Sequence, residues 1–154
     1  MVKAGRGRGG AGKVRVLVVE GDARVRLGVR SVVESLPDLQ VVGEASSARS
    51  ALELVVNTPA EVVIVDLELP TAAEGQELVS ELSRNGSSVV AMSIRSGLGP
   101  AALAAGAVSF VEKDEHAAAS LVKAIRAAAS HITDPQNRNI PPTVPRAGQS
   151  GDST

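Results

Sequence analysis

At 154 residues, 44% of them apolar, the chain has the size of one domain with tails. It contains no cysteine, which excludes disulfides and thiolate metal sites, and its net charge of −1 gives no electrostatic case for nucleic acid. No apolar run approaches the roughly 20 residues of a membrane span, and the first one, Val14 to Val19, is too short for a signal peptide and meets Glu20; a cytoplasmic protein is expected.

The ends read as tails. Residues 1–13 are glycine-rich with four positive charges, and residues 132–154 hold four prolines among polar residues; neither can bury enough apolar surface to offset the entropy of ordering. Gly7 to Lys13 nearly spells a phosphate-binding loop. The next residue, however, is Val14 rather than Ser or Thr, and the segment precedes a strand instead of following one. Gly5, Gly7 and Gly10 fail as a dinucleotide fingerprint for the same reason.

Between the tails, strand and helix patterns alternate. Val14–Val19 reads as a strand. Asp22 to Leu36 places Val25, Val29, Val32, Val33 and Leu36 on one helical face, broken by Pro37-Asp38. Leu39–Gly43 reads as a short strand. Ser46 or Ser47 can cap a helix carrying Ala48, Ala51, Leu52 and Val55, closed by Asn57-Thr58-Pro59. Val62–Val65 is a run of four β-branched residues, the mark of a strand buried on both faces. Glu74 to Arg84 reads as a helix ended by Asn85-Gly86. Ser88–Met92 is a strand, Pro100–Ala105 a short helix ended by Gly106, and Val108–Val111 a strand. Asp114 can cap a last helix with Ala118, Leu121, Val122 and Ile125 on one face.

Five such units predict an α/β protein: a doubly wound, five-stranded parallel sheet in the order 2-1-3-4-5, as in flavodoxin and CheY. Ligands of such sheets gather outside the carboxyl ends of the strands. The residues expected there are Glu20 and Asp22, Asp66, Ser93 and Lys113. An acid cluster, a hydroxyl and an ammonium at one rim suit phosphoryl transfer onto a carboxylate, with Asp66 as nucleophile and a divalent cation on the acids. His116 and His131 lack metal-like spacing and read as surface residues.

The segments VRVLVVE, PDLQVVGEASSARSALELV, EVVIVDLELP, AMS, AAGAVSFVEKD and LVKAIRAA resemble, in order and spacing, the receiver domain of bacterial two-component response regulators. The likeness is greatest to the branch that carries LuxR/NarL-type DNA-binding domains. It covers 14–131. It implies a non-enzymatic signalling module in which Asp66 takes phosphate from a histidine kinase or phosphotransfer protein. It further implies Mg²⁺ held by acids after the first strand, by Asp66 and by the backbone carbonyl of Glu68. Ser93 is then the switch hydroxyl, Lys113 the conserved-type lysine of the site and Phe110 the reorienting aromatic. Output goes to a downstream protein or a second copy of the chain.

The chain departs from that pattern in four places. Gly21 stands where the second acid belongs, with Asp22 one residue later as the candidate substitute. The loop after Leu69-Pro70 is one residue longer, and Ile94 follows Ser93 where a small residue is usual. The segment 95–100 is short, so the fourth helix is expected to be truncated. Residues 132–154 offer no recognition helix, so no direct DNA binding is expected. The competing reading is a phosphate-insensitive scaffold or small-molecule sensor on the same fold; a Mg²⁺-dependent phosphatase is a third.

Overall fold

The computed structural model describes residues 12–133, with side chains through Ser130; the expected tails at 1–11 and 134–154, and the side chain of His131, lie outside the described residues. Eleven elements follow one another: β1 (Val14–Val19), α1 (Ala23–Glu34), β2 (Leu39–Ala45), α2 (Ala48–Asn57), β3 (Val62–Asp66), α3 (Ala72–Arg84), β4 (Ser88–Ser93), a 3₁₀ turn (Ser96–Leu98), α4 (Gly99–Ala105), β5 (Ser109–Glu112) and α5 (Ala117–Thr133). The sheet is wholly parallel, in the order β2-β1-β3-β4-β5.

Successive side chains of a strand point to opposite faces, and here both faces are apolar. Leu17, Val19, Val63, Val65, Val89 and Ala91 face Ala51 of α2 and Leu78, Val79 and Leu82 of α3. Val16, Val18, Val62, Ile64, Val90 and Met92 face Val29 and Val33 of α1 and Leu121, Ile125 and Ala128 of α5. Every residue of β3 is buried, as its apolar run requires.

Helix starts follow local hydrogen-bond chemistry. Asp22 caps α1. Of the two candidate serines, Ser47 caps α2, through a capping box closed by Ser50. Thr71 caps α3, which starts at Ala72, two residues ahead of the expected start, its Oγ1 accepting from the Glu74 N–H at 3.2 Å. Asp114 accepts from the His116 N–H at 2.8 Å in the turn before α5. β2 runs two residues past Gly43 because β1 continues beside it, Val19 pairing with Ala45; a register shift sets Gly43 opposite Leu17, where a Cβ would lie 2.8 Å from the Leu54 side chain. β5 starts one residue later than Val108. α4 is short, as expected: seven residues with Pro100 in its first turn, ended by Gly106 at φ 120°.

Gly75 is the tightest point of the fold. A Cβ there would sit 1.8 Å from the carbonyl oxygen of Leu67, so α3 rests directly on the backbone leaving β3. Gly28, in the middle of α1, has nothing within 4 Å of its Cβ position. The two glycines should therefore respond with opposite sign. Gly75→Ala is expected to lower stability by about 3 kcal/mol or more through overpacking, and Gly28→Ala to raise it by about 1 kcal/mol through helix propensity. Urea titration of both variants checks this.

Candidate functional site

The site lies at the carboxyl end of the sheet, where the parallel ladder continues one residue past the strands. The Glu20 N–H donates to Ala45 O (3.0 Å), Leu67 N–H to Met92 O (2.8 Å) and Lys113 N–H to Ser93 O (2.9 Å). With Val19 level with Val65, Asp66 with Met92 and Ser93 with Glu112, these bonds bring Glu20, Asp66, Ser93 and Lys113 to one rim from four neighbouring strands.

Lys113 is its electrostatic centre. Its Nζ lies 2.9 Å from Glu20 Oε1 and 3.4 Å from Asp66 Oδ1. Glu20 is 3% exposed and Asp66 8%, so both charges have left bulk water. Burial opposes the charge of Lys113, but the hydrogen bond it donates to Glu20 and the nearness of Asp66 outweigh it and hold its pKa above the ordinary lysine value. The Asp66 carboxyl is raised as well, but here the shift disfavours the charged form. Burial, then the Glu20 charge, push its carboxyl up to about 6, against the pull of Lys113 and of the Glu68 N–H, which donates to Asp66 Oδ1 at 3.2 Å.

The remaining candidates are placed as follows. Ser93 is fully buried at the end of β4. Its hydroxyl donates to Glu68 Oε2 at 3.0 Å and accepts from the Arg95 N–H at 2.9 Å. Arg95 Nε reaches the same Glu68 oxygen at 3.3 Å. Phe110 is half-buried against Gly99, where a Cβ would come within 3.1 Å of its ring. His116 is exposed.

Asp22 lies apart from this group in role. Its Oδ1 accepts from the N–H groups of Arg24 (2.8 Å) and Val25 (3.1 Å), which hold its carboxyl below the usual aspartate range. The carboxylate is engaged as the cap of α1, and among the described residues no group of three His, Cys, Asp or Glu side chains is set to hold a metal. Gly21 leaves room: a Cβ there would meet only Ser46 O at 3.6 Å and Leu69 at 3.9 Å.

Two side chains were missed by sequence reasoning. Glu68 was assigned only its carbonyl, and Arg95 no role. The signal was positional: each lies two residues past a site residue on adjacent, in-register strands, Glu68 after Asp66 and Arg95 after Ser93.

A five-stranded 2-1-3-4-5 sheet with an acid, a hydroxyl and a lysine at its rim defines a receiver-type α/β signalling domain. The response regulator receiver domain family model matches residues 16–126, and the chain belongs to that family. It is 38% identical over 104 residues to a protein-glutamate methylesterase/protein-glutamine glutaminase of Moorella thermoacetica, an alignment covering 65% of this chain and 24% of that protein. The response regulator domain of Thermotoga maritima CheB superposes with a TM-score of 0.67 at 28% identity, over 77% of this chain and 97% of that one. A LuxR-family two-component response regulator from Aurantimonas sp. SI85-9A1 gives 0.69 at 30% identity, over 77% and 86%. The chain thus spans about a quarter of the Moorella relative, matching it through the receiver part. No described helix is long and apolar enough to cross a membrane.

The raised pKa of Asp66 sets a pH dependence. With about 6 in the folded state against 3.8 as the ordinary value, the fold binds the extra proton between these limits, so this residue's contribution to stability is full below about pH 4 and is lost as pH rises through 6. Asp66→Asn removes that loss. In chelator-treated protein the substitution should leave stability unchanged at pH 4 and raise it by about 1–3 kcal/mol at pH 7.5; denaturant titration at the two pH values is the check.

Proposed function

We propose that this receiver domain accepts a phosphoryl group on Asp66 from a histidine kinase or phosphotransfer protein and passes the signal through altered protein contacts, without being an enzyme itself. The observation that carries this reading is the Lys113 ammonium lying between Glu20 and Asp66 at the end of the central strand, 2.9 and 3.4 Å away. It supplies fixed positive charge where a phosphoryl group on Asp66 would develop negative charge, in a site largely closed to water.

The chain's own residues divide the work. Asp66 is the nucleophile; Lys113, tethered by Glu20, faces the incoming phosphoryl oxygens; Ser93 can donate one hydrogen bond to them. Phe110, packed on Gly99, is the side chain that would follow Ser93. Glu20, Asp66 and the Glu68 carbonyl suit a Mg²⁺ that retains several waters, since Mg²⁺ commonly takes only one or two protein carboxylates plus substrate phosphate. When bound it would neutralise phosphoryl oxygens. With Gly21 in place of an acid and Asp22 spent on its helix cap, the ion would be held weakly.

That same pair of observations favours a second reading, a phosphate-insensitive scaffold or small-molecule sensor. Incubation with a small-molecule acyl phosphate and Mg²⁺ decides between them. Intact-mass measurement should show one phosphate adduct on the wild type and none on Asp66→Asn; an unmodified wild type would favour the second reading.

Because the Gly21 position accepts a Cβ without a clash, Gly21→Asp should strengthen Mg²⁺ binding about tenfold or more by adding a charged ligand. Mg²⁺ titration followed by NMR of the Glu20–Asp22 amides reads this out; equal affinity in the two proteins would mean that residue 21 does not face the metal.

A further inference from the structure

We propose that the Glu68 side chain is a latch on the switch hydroxyl: it holds the one proton of Ser93 away from Asp66, and phosphorylation must take that proton from it. The proposal rests on the reading of Asp66 as phosphoacceptor and assigns a regulatory role to a carboxylate so far given only a carbonyl function.

The argument is one of hydrogen-bond capacity. A serine hydroxyl has a single O–H to donate. In Ser93 that proton goes to Glu68 Oε2 at 3.0 Å, and a lone pair is taken by the Arg95 N–H at 2.9 Å. Ser93 is 0% exposed, so water offers its hydroxyl no alternative partner. A phosphoryl group on Asp66 therefore receives the Ser93 hydrogen bond only if Glu68 gives it up. The exchange is driven by charge. An aspartyl phosphate brings close to two negative charges at neutral pH, as other phosphorylated side chains do. It competes for the proton and repels the Glu68 carboxylate at the same time.

Glu68 is not stranded when it lets go. Arg95 Nε, 3.3 Å from the same oxygen and on a side chain 59% exposed, keeps it paired and can draw it outward. Glu68 is thus a positioning residue, and Arg95 its counter-charge. The pairing of β3 with β4 makes the arrangement possible, because it brings the segments that leave the two strand ends alongside each other, within one residue of level.

Two measurements on wild type, Glu68→Ala and Glu68→Gln test the latch. The first needs no phosphate: exchange of the Arg95 amide, whose acceptor is Ser93 Oγ, should quicken about tenfold in Glu68→Ala as the hydroxyl leaves its place. Glu68→Gln keeps an acceptor oxygen and should fall between. Unchanged exchange in Glu68→Ala overturns the latch, whatever the phosphorylation result.

The second follows the phosphorylated fraction at a fixed, sub-saturating acyl phosphate concentration. Glu68→Ala should reach a phosphorylated-to-free ratio about tenfold above wild type, the worth of one hydrogen bond to a charged group. In a Ser93→Ala background the same substitution should change the ratio by less than about twofold. An equal gain in both backgrounds overturns the latch, because Glu68 would then act by charge alone. No adduct in any of the proteins, together with accelerated Arg95 exchange, overturns the phosphoacceptor reading while leaving the Glu68–Ser93 hold supported.

Discussion

The structure depends on one constraint: β3 is apolar on both faces and must be covered on both. Val63 and Val65 are buried under α2 and α3, Val62 and Ile64 under α1 and α5. A strand so enclosed can carry a charge only where it leaves the sheet, and Asp66 occupies that place. Helices on both sides in turn require parallel strands joined by right-handed crossovers, and these bring every strand to the same rim pointing the same way. Functional side chains therefore meet without any dedicated scaffold. They are the last residues of, or the first residues past, strands whose interiors are fixed by packing.

At that rim the balance of charge is uneven. Two buried carboxylates, Glu20 and Asp66, share one ammonium, Lys113. Glu20 takes the shorter contact, and Asp66 is left with its pKa pushed up to about 6. A carboxyl so poorly compensated gains from any added positive charge. This is the electrostatic situation of a group awaiting a divalent cation or a transferred group that comes with one. Gly21 adds no further carboxylate to this group, and Asp22 is committed to the N–H groups of α1.

The switch side of the site shows the opposite condition, every capacity filled. Ser93, Glu68 and Arg95 form a closed set of hydrogen bonds in which the buried hydroxyl has no spare proton. Phe110 rests on Gly99 at the head of a short α4, where a Cβ would crowd its ring. An underpaired acceptor site thus stands beside a fully paired switch. In the proposed latch, charge arriving at the first would move the second through a single serine proton.

Much of this was legible in the chain. Alternation of apolar runs with helical faces determined the five βα units, their order and the rim, because period and burial are local properties of sequence. Asp66, Ser93 and Lys113 were visible for the same reason: each ends or directly follows an apolar strand. Where elements departed from expectation, tertiary contact decided. β2 passes Gly43 because β1 continues beside it, Val19 pairing with Ala45. The use of Asp22 could not be read from its position, since one carboxylate can cap a helix or bind a metal, and only the folded backbone presents the N–H groups that claim it. Glu68 and Arg95 meet because β3 and β4 are neighbours in the sheet, a pairing between strands separated by a whole helix. Sequence alone determined which residues reach the rim; the tertiary structure decided which of them touch, because contact depends on register and side-chain direction, which no local pattern encodes.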